Sequence, residues 1–435
     1  MKFYSTNNRN LVAGLREAVL QGLAPDNGLY MPEYIPRLPD DFFSSIGHRS
    51  MQEIAFTVSQ SFVGEDVNDE TLSGIVARAI QFDAPLVPIG DMIHALELFH
   101  GPTMAFKDFG ARFMAGLLGH FAQDLNREIT ILVATSGDTG SAVANGFLNV
   151  PGTRVIVLYP KGKVSDIQER QFTTLGSNIT ALEVDGTFDD CQRMVKEAFL
   201  DSTLRSKLFL TSANSINIAR LIPQSFYYFH AYAQLNSPDL PVVFAVPSGN
   251  FGNLTGGLIA KRMGLPVAKF VACTNVNDIV PEYLTSGAFN PRPSLHTISN
   301  AMDVGNPSNF ARLLDMYDKD HARMAADITG MAFTDEETRA AMRAVYEERG
   351  YVLDPHGAVG YLGLKEYARQ HGILAGVFLE TAHPGKFREV VEATLNITLP
   401  LPPTLEAFNK GRKQSLPMTT EFSDFKEYLL NQIAP

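Results

Sequence analysis

Cysteine is scarce in this chain of 435 residues, since only Cys191 and Cys273 occur. Two cysteines provide no disulfide framework, and the C-x-x-C spacing of a zinc site is missing. The histidines also lack the spacing of a zinc-binding helix, so a catalytic metal is not expected. Both thiols are interpreted as structural groups of a protein that works in a reducing compartment.

Positive charge is also in short supply, because 36 Lys and Arg residues stand against 47 Asp and Glu residues, a formal net charge of −11. Such a chain repels nucleic acid and anionic membranes, so neither is an expected partner. An apolar run close to the roughly 20 residues of a membrane span is missing, as is the apolar core of a secretory signal in MKFYSTNNRN. The sequence therefore predicts a cytoplasmic protein, and an anionic small-molecule substrate is compatible with it if a local basic pocket is present.

The length predicts two or three domains, with the hydrophobic share, 45%, of an ordinary globular protein. Residues 1–100 are interpreted as a mainly helical N-terminal region, 101–399 as an α/β core of two subdomains, and 400–435 as a tail ending in a helix. In the core, short apolar runs alternate with helical stretches, which predicts parallel sheets with helices on both faces. The main predicted strands are 129–134, 154–159, 179–184, 242–246, 269–274 and 375–381.

Three loops follow predicted strands: TSGDTG at 135–140, PSGNFGN at 247–253 and TAHPGKF at 381–387. In parallel sheets, ligands bind at the carboxyl ends of strands. We therefore expect these loops to open toward one crevice.

The loop PSGNFGN has the composition of a phosphate-binding turn. Gly249 and Gly252 are expected to supply backbone freedom, and the following helix start directs N–H groups and a partial positive charge at an anion. An ordinary tight turn between strand and helix is the alternative interpretation. Neither a Walker loop nor G-x-G-x-x-G is present, which disfavours an NTPase or a nicotinamide-dependent dehydrogenase.

Lys107 is the candidate nucleophile. It lies among Phe106, Phe109 and Phe113, and apolar surroundings lower the pKa of a lysine. An unprotonated amine is what Schiff-base formation requires. A surface lysine at the start of an amphipathic helix is the alternative.

The segment AFKDFG at 105–110 resembles the lysine signature of the tryptophan-synthase-like group of pyridoxal-phosphate (PLP) enzymes, known as fold type II. Longer strings resemble the threonine synthase family, in order along residues 22–387: GLAPDNGLYMPE, ELFHGPTMAFKDFGARF, ATSGDTGSA, SANSINIAR, VPSGNFGNLTGGL, CTNVND and TAHPGKF. This resemblance implies the PLP fold type II architecture, α/β with parallel-rich twisted sheets.

The resemblance also implies roles for the cofactor-binding residues. Lys107 would hold PLP as a Schiff base and move protons at the substrate carbons. Thr381 would place its hydroxyl against the pyridine nitrogen. The residues that would cradle the cofactor phosphate are Gly249, Asn250, Phe251, Gly252 and Asn253. Many relatives carry aspartate at the position of Asn253, so the role of this position is the least defined.

For the substrate, the resemblance implies a carboxylate site at Ser136 and Thr139, with Asp138 assigned only loosely. The candidates to hold a substrate phosphate are Asn214, Asn217 and Arg220, and arginine suits phosphate because its planar fork donates in pairs. Lys161 and Lys163 are weaker candidates for the phosphate. His100 and His383 are interpreted as structural hydrogen-bonding groups.

The implied reaction is conversion of O-phospho-L-homoserine and water to L-threonine and phosphate, by a monomer or homodimer. A serine/threonine dehydratase or β-replacement synthase of the same fold is the alternative enzyme. A non-catalytic cofactor-binding protein is the alternative from another class. Product analysis separates the two enzymes, and a missing cofactor absorbance band would favour the third interpretation.

Overall fold

The structure, a computed structural model, describes residues 1–90, 92–123, 125, 127–235, 240–372 and 374–433. The chain begins with a small antiparallel sheet in which β1 lies between β2 and β3, followed by helices. The elements of this N-terminal unit are β1 (Lys2–Ser5), β2 (Val12–Gly14), α1 (Leu15–Gln21), β3 (Tyr30–Pro32), α2 (Asp40–Ser45), α3 (Met51–Val63) and α4 (Asp69–Ala79).

Apolar residues spaced three and four apart in 50–64 and 71–81 predict amphipathic helices, and α3 and α4 lie over most of these segments. Ser50 and Glu53 form a reciprocal capping box at the start of α3, and the Asn68 side chain accepts the Thr71 N–H at the start of α4. These caps satisfy backbone donors that a helix start would otherwise leave free.

A run of alternating strands and helices follows. Its elements are β4 (Leu86–Gly90), β5 (Ile93–Glu97), α5 (Lys107–Ala122), β6 (Ile129–Ala134), α6 (Asp138–Phe147), β7 (Thr153–Pro160), α7 (Asp166–Thr173), β8 (Ile179–Val184), α8 (Phe188–Leu200), α9 (Ser202–Lys207), β9 (Phe209–Ser212), α10 (Ile218–Leu221) and α11 (Phe226–Gln234).

The remaining elements complete the sheets and cover them. They are β10 (Val242–Pro247), α12 (Gly252–Arg262), β11 (Val267–Thr274), α13 (Ile279–Ser286), α14 (Phe310–Met316), α15 (His321–Asp327), β12 (Ile328–Ala332), α16 (Asp335–Arg349), α17 (Pro355–His371), β13 (Ala375–Glu380), α18 (Arg388–Leu395), α19 (Pro403–Asn409), β14 (Leu416–Met418) and α20 (Phe422–Tyr428).

Two parallel-rich sheets form the core. One has the strand order β12-β11-β10-β13-β5-β4 and is parallel except for β4, and the other has the order β14-β8-β7-β6-β9 and is parallel throughout. Every residue of β6, β10 and β13 is buried, as expected for strands covered on both faces. The α/β fold class predicted from the sequence is confirmed.

Three details differ from the sequence-based expectation. The N-terminal 100 residues are not only helical, because β4 and β5 join the six-stranded sheet. The sequence pattern over 216–235 predicts one long helix, but a 3₁₀ turn at Ile222–Ser225 interrupts it, where Pro223 lacks the N–H of a regular helix. The tail from residue 400 adds β14 to a sheet edge before α20, and its last two residues lie outside the described part. Along the described residues, no helix has the length and apolar character of a membrane span.

Candidate active site

A cavity of about 430 Å³ lies where the carboxyl ends of β6, β9, β10 and β13 meet. The three loops predicted to converge do so, since Ser136, Gly249 and Thr381 all line this cavity. Lys107, at the start of α5, lines it as well. The topology therefore brings together segments that are more than 270 residues apart in the sequence.

Lys107 is largely buried, with 17% of its side chain exposed. Its Nζ lies 3.4 Å from Oδ2 of Asp138 and 4.7 Å from the centre of the Phe106 ring. Burial lowers the pKa of Lys107, Asp138 acts in the opposite direction, and the positive charges of Lys386 and Arg220 lower it further. The amine is thus poised to lose its proton more readily than an ordinary lysine.

Asp138 is the buried carboxylate beside this amine. Its Oδ1 lies 2.7 Å from Nζ of Lys386 and accepts a 2.8 Å hydrogen bond from Nε2 of Gln168. Burial alone would raise the pKa of Asp138, but the charges of Lys386 and Lys107 outweigh burial and hold the pKa well below its usual range. Asp138 is therefore a carboxylate at neutral pH.

The turn from β10 into α12 leaves a helix start open to the cavity. Phe251 precedes the helix in the left-handed conformation (φ 59°), and its side chain does not cap the helix. The Asn253 side chain accepts the N–H of Leu254, whereas the N–H groups of Gly252 and Asn253, at the start of α12, lack acceptors within the helix and can bind an anion. This uncapped start, lining the same cavity as a buried amine, fits the phosphate and aldehyde groups of PLP.

The glycines of this turn do not have the backbone angles predicted for them, and Gly249 is needed for close packing instead. Neither Gly249 nor Gly252 has a positive φ, so the expectation of unusual glycine angles is wrong, and Phe251 takes the left-handed angle instead. A Cβ on Gly249 would lie 2.6 Å from the carbonyl oxygen of Ala301. Gly249 is required because the segment that contains Ala301 packs directly against it.

Arg220 provides a second anion-binding group. It is 3% exposed, donates to the carbonyl of Ala213 and lines the cavity, while its Nε–H is buried without a hydrogen-bond partner among the residues that the structure describes. Burial lowers the pKa of Arg220 to about 10, and Asp108 offsets part of this effect. A buried guanidinium with a free donor favours an anionic ligand.

Comparison with known proteins agrees with this geometry. Residues 84–379 match the family model described as pyridoxal-phosphate dependent enzyme, and residues 2–80 match the model described as threonine synthase N terminus. Threonine synthase of Haemophilus influenzae is 44% identical over 99% of this chain and 100% of its own.

The chain belongs to the threonine synthase family.

Solved structures of threonine synthases extend the comparison to three dimensions. The enzyme from Escherichia coli is 42% identical, covers 99% of this chain and 100% of its own, and superposes with a TM-score of 0.92. PLP-bound threonine synthase from Brucella melitensis is 35% identical, with 99% and 98% covered and a TM-score of 0.91. The chain therefore has the fold, the PLP dependence and the lyase activity of threonine synthases.

Most of the residues predicted for this threonine synthase site line the cavity. They are Lys107, Ser136, Thr139, Asn214, Arg220, Gly249, Asn250, Phe251, Gly252, Asn253 and Thr381. Asn217 does not, because its buried amide donates to the carbonyls of Val19 and Ser212 while its oxygen caps α10. Asn217 supports the loop that carries the neighbouring candidates, and it is not retained as a ligand.

Two asparagines of the turn use their side chains to hold the turn itself. Asn250 donates to Oγ of Ser215 at 2.8 Å and accepts the Ser308 N–H at 2.6 Å. Asn253 donates to the Pro247 carbonyl at 2.7 Å, and its side-chain oxygen accepts the backbone N–H of Leu254. Their backbone positions line the cavity, whereas their amide groups fix its shape.

The remaining predicted candidates lie away from the cavity. Lys161 and Lys163 are exposed, and neither lines it. His100 hydrogen-bonds Glu97, and Nδ1 of His383 accepts the N–H of Gly385 at 2.9 Å. These contacts are structural.

Several polar residues of the site were not found from the sequence. Gln224 and His356 line the cavity, and Oε1 of Gln224 is buried with no hydrogen-bond partner in the described part of the chain. Lys386 and Gln168 do not line it but hold Asp138. Lys386 belongs to the TAHPGKF segment, which the sequence had marked as a candidate loop. A single sequence does not reveal, however, which carboxylate a lysine contacts in the fold.

Proposed function

We propose that this chain converts O-phospho-L-homoserine and water to L-threonine and phosphate. The observation that carries the proposal is one cavity lined by a buried amine, an uncapped helix start and a buried guanidinium with a free donor, at Lys107, Gly252 and Arg220. Two separate anion-binding groups suit a cofactor and a substrate that each carry a phosphate.

The first group of residues would hold PLP. Lys107 would bind its aldehyde carbon, the N–H groups at the start of α12 its phosphate, and the Thr381 hydroxyl its ring nitrogen. The backbone of Thr381 is held in place because its carbonyl accepts the N–H of Phe106 at 2.9 Å. When bound, PLP supplies an electron sink for charge that develops on the substrate carbons.

The second group would orient the substrate. Ser136 and Thr139 would donate to its α-carboxylate from the loop at the start of α6, and both face the cavity. Asn214 and Arg220 would hold its phosphate. With both ends held in this way, the carbon chain of the substrate would lie alongside Lys107.

Lys107 would then move the protons. Its Nζ removes the proton at Cα and passes it to the substrate phosphate, so that the amine is free to remove one proton at Cβ. Phosphate then leaves from Cγ with cleavage of the C–O bond, and Lys107 delivers the Cβ proton to Cγ, which becomes the methyl group. Water adds its oxygen to Cβ, its other proton goes to Lys107, and Lys107 returns this proton to Cα. The lowered pKa of Lys107 suits this repeated exchange.

Product analysis tests the reaction directly. We expect the purified holoenzyme to release one phosphate and one L-threonine for each O-phospho-L-homoserine consumed. A keto acid and ammonia in place of threonine would make the protein a dehydratase and contradict the proposal.

Replacing Arg220 tests the substrate phosphate site. Arg220→Ala removes a charge-assisted hydrogen bond, so KM should rise roughly 10- to 100-fold while the cofactor absorbance survives. Steady-state kinetics measure this change, with Arg205→Ala on the exposed end of α9 as the control. Unchanged KM in Arg220→Ala would remove this residue from the phosphate site.

We further propose a cytoplasmic enzyme that acts as a monomer or homodimer on a small-molecule substrate. Its two free thiols, Cys191 and Cys273, are buried, and burial raises the pKa of Cys191 to about 12. Unpaired thiols suit a reducing compartment. Sedimentation velocity of the holoenzyme tests the assembly, and a larger oligomer would contradict it.

A further inference from the structure

Lys386 is a fully buried lysine beneath the active site. It lies in the 3₁₀ turn Pro384–Phe387, which follows β13, and 0% of its side chain is exposed. Its Nζ donates to the carbonyl of Thr103 at 2.8 Å and lies 2.7 Å from Oδ1 of Asp138. A buried ammonium is costly unless it is paired, and this pairing is made with a carboxylate of the cavity.

The pairing fixes how the carboxylate is used. Oδ1 of Asp138 pairs with the ammonium of Lys386 and accepts a hydrogen bond from Gln168, which leaves Oδ2 to contact Lys107. The contact between Oδ2 and the Lys107 Nζ, at 3.4 Å, is longer than a strong charged hydrogen bond. Lys107 is therefore oriented by Asp138 without being locked to it.

The charges around Lys107 favour the neutral amine. Asp138 faces Lys107 from α6, Lys386 from the turn after β13 and Arg220 from α10, so two cations oppose one carboxylate that is already shared. The neighbouring carboxylate, Asp108, is engaged by the N–H and hydroxyl of Thr103.

We propose that Lys386 is a positioning residue for the reaction: it anchors one oxygen of Asp138 so that the other faces Lys107, and it prevents Asp138 from holding Lys107 as a tight ion pair. This inference rests on the proposed role of Lys107. Lys386 itself contacts neither cofactor nor substrate, but it affects how tightly Lys107, the residue proposed to contact both, binds its proton.

The proposal predicts the direction in which each of two substitutions changes the proton affinity of Lys107. In Lys386→Met, Asp138 has only Lys107 as a cationic partner, so Lys107 should bind its proton more tightly. In Asp138→Asn the attracting charge is gone, and Lys107 should bind its proton less tightly. The double variant should fall between the two single variants, because the two effects oppose each other. A packing defect at Lys386 would not be reversed by the second substitution.

The test uses the full-length protein freed of cofactor. Lys107 is labelled with limiting acetic anhydride from pH 6 to 11, and its labelled fraction is measured by peptide mass spectrometry against exposed Lys410. We expect the labelling midpoint of Lys107 to rise by at least about one pH unit in Lys386→Met, a tenfold loss of reactivity below the midpoint. In the double variant the midpoint should return toward wild type.

Lys207→Met, at the exposed end of α9, is the matched control and should leave the midpoint unchanged. If Lys386→Met does not fold, the double variant is compared with Asp138→Asn, where loss of Lys386 should again raise the midpoint. An unmoved midpoint, or one that stays raised in the double variant, overturns the proposal.

The holoenzyme gives a second readout that separates this inference from the proposed function. Lys386→Met should shift the acidic limb of the kcat profile to higher pH and leave KM within about twofold, because Lys386 does not touch the substrate. If the wild-type cofactor is not attached to Lys107 at all, the proposed function fails. If it is attached but Lys386→Met changes neither profile nor midpoint, only the role of Lys386 fails.

Discussion

At the scale of single residues, the site depends on polar groups whose surroundings change their proton affinity. His383 lies two residues after Thr381, which lines the cavity, and packs edge-on against Phe99. Burial is the main cause that lowers the pKa of His383 from 6.5 to about 4, and Glu97 offsets only part of it. Its Nδ1 accepts a backbone N–H, which a protonated ring cannot do.

This makes His383 a source of acid sensitivity. Because its folded pKa lies below its unfolded pKa, the unfolded chain binds more protons between pH 6.5 and about 4, and stability falls as pH falls through that window. We expect wild type to lose about 2 kcal/mol more than His383→Asn between pH 7 and pH 5. Asparagine can accept the same N–H, so the two proteins should be similar at pH 7. Urea titrations at both pH values measure the difference, and parallel losses would contradict the assignment.

At the scale of elements, the turn between β10 and α12 shows how packing shapes a binding loop. Its left-handed residue is Phe251, and Gly249 is needed because Ala301 and Met302 approach the backbone closely. The turn is further tied to the loop after β9 through Asn250 and Ser215. The conformation of this turn is therefore held by neighbouring segments as well as by its own sequence.

Gly249→Ala tests this packing. The added methyl group would lie 2.6 Å from the Ala301 carbonyl oxygen and 2.8 Å from Cα of Met302, so one loop must shift. Overpacking of this kind costs about 1–3 kcal/mol, and we expect PLP affinity to fall roughly 10- to 100-fold. Fluorescence titration of the cofactor-free protein measures it. Gly14→Ala has open space around the methyl group and should bind PLP normally, whereas normal binding by Gly249→Ala would refute the packing argument.

The elements that could be predicted were those with strong local patterns. Apolar runs such as 129–134 and 179–184 match β6 and β8 residue for residue, because buried parallel strands carry a continuous apolar signal. The strands β4 and β5 were missed, since Leu86–Gly90 contains Pro88 and alternates little. Edge position in a sheet is decided by distant partners, which the local sequence does not show.

At the scale of the whole molecule, Arg312 joins three parts of the chain. Its buried guanidinium donates to the carbonyls of Tyr30 in β3 and of Ser215 and Ile216 in the cavity wall, and to the side chain of Asn309. Burial lowers the pKa of Arg312 to about 9. Arg312 thus links the N-terminal unit to the wall of the active site.

Arg312→Met should therefore weaken both stability and substrate binding. Several buried carbonyls lose their donor, so we expect a loss of about 3 kcal/mol in the free energy of unfolding. KM should rise as well, because Ser215 and Ile216 line the cavity. Urea titration and steady-state kinetics measure the two effects, with Arg205→Met as the exposed control. Loss of stability with an unchanged KM would show that the hydrogen bonds of Arg312 do not affect substrate binding.

The site was predictable where chemistry follows from a motif and unpredictable where it follows from a long-range contact. Lys107 and the turn at 249–253 lie where their motifs indicated. Asn217 belongs to the same motif as Arg220, but it faces the protein interior. Lys386 meets Asp138 across 248 positions of the chain, and a contact of that kind requires the fold.

The attachment of PLP to Lys107 is the claim on which this account depends. Borohydride reduction of the holoenzyme, digestion and mass spectrometry locate the cofactor on a single lysine. The account predicts that the label lies on Lys107 in wild type, and that Lys107→Ala loses both the label and at least about a thousandfold in kcat/KM. A label on another lysine, or phosphate release from O-phospho-L-homoserine at wild-type rate by Lys107→Ala, would contradict it.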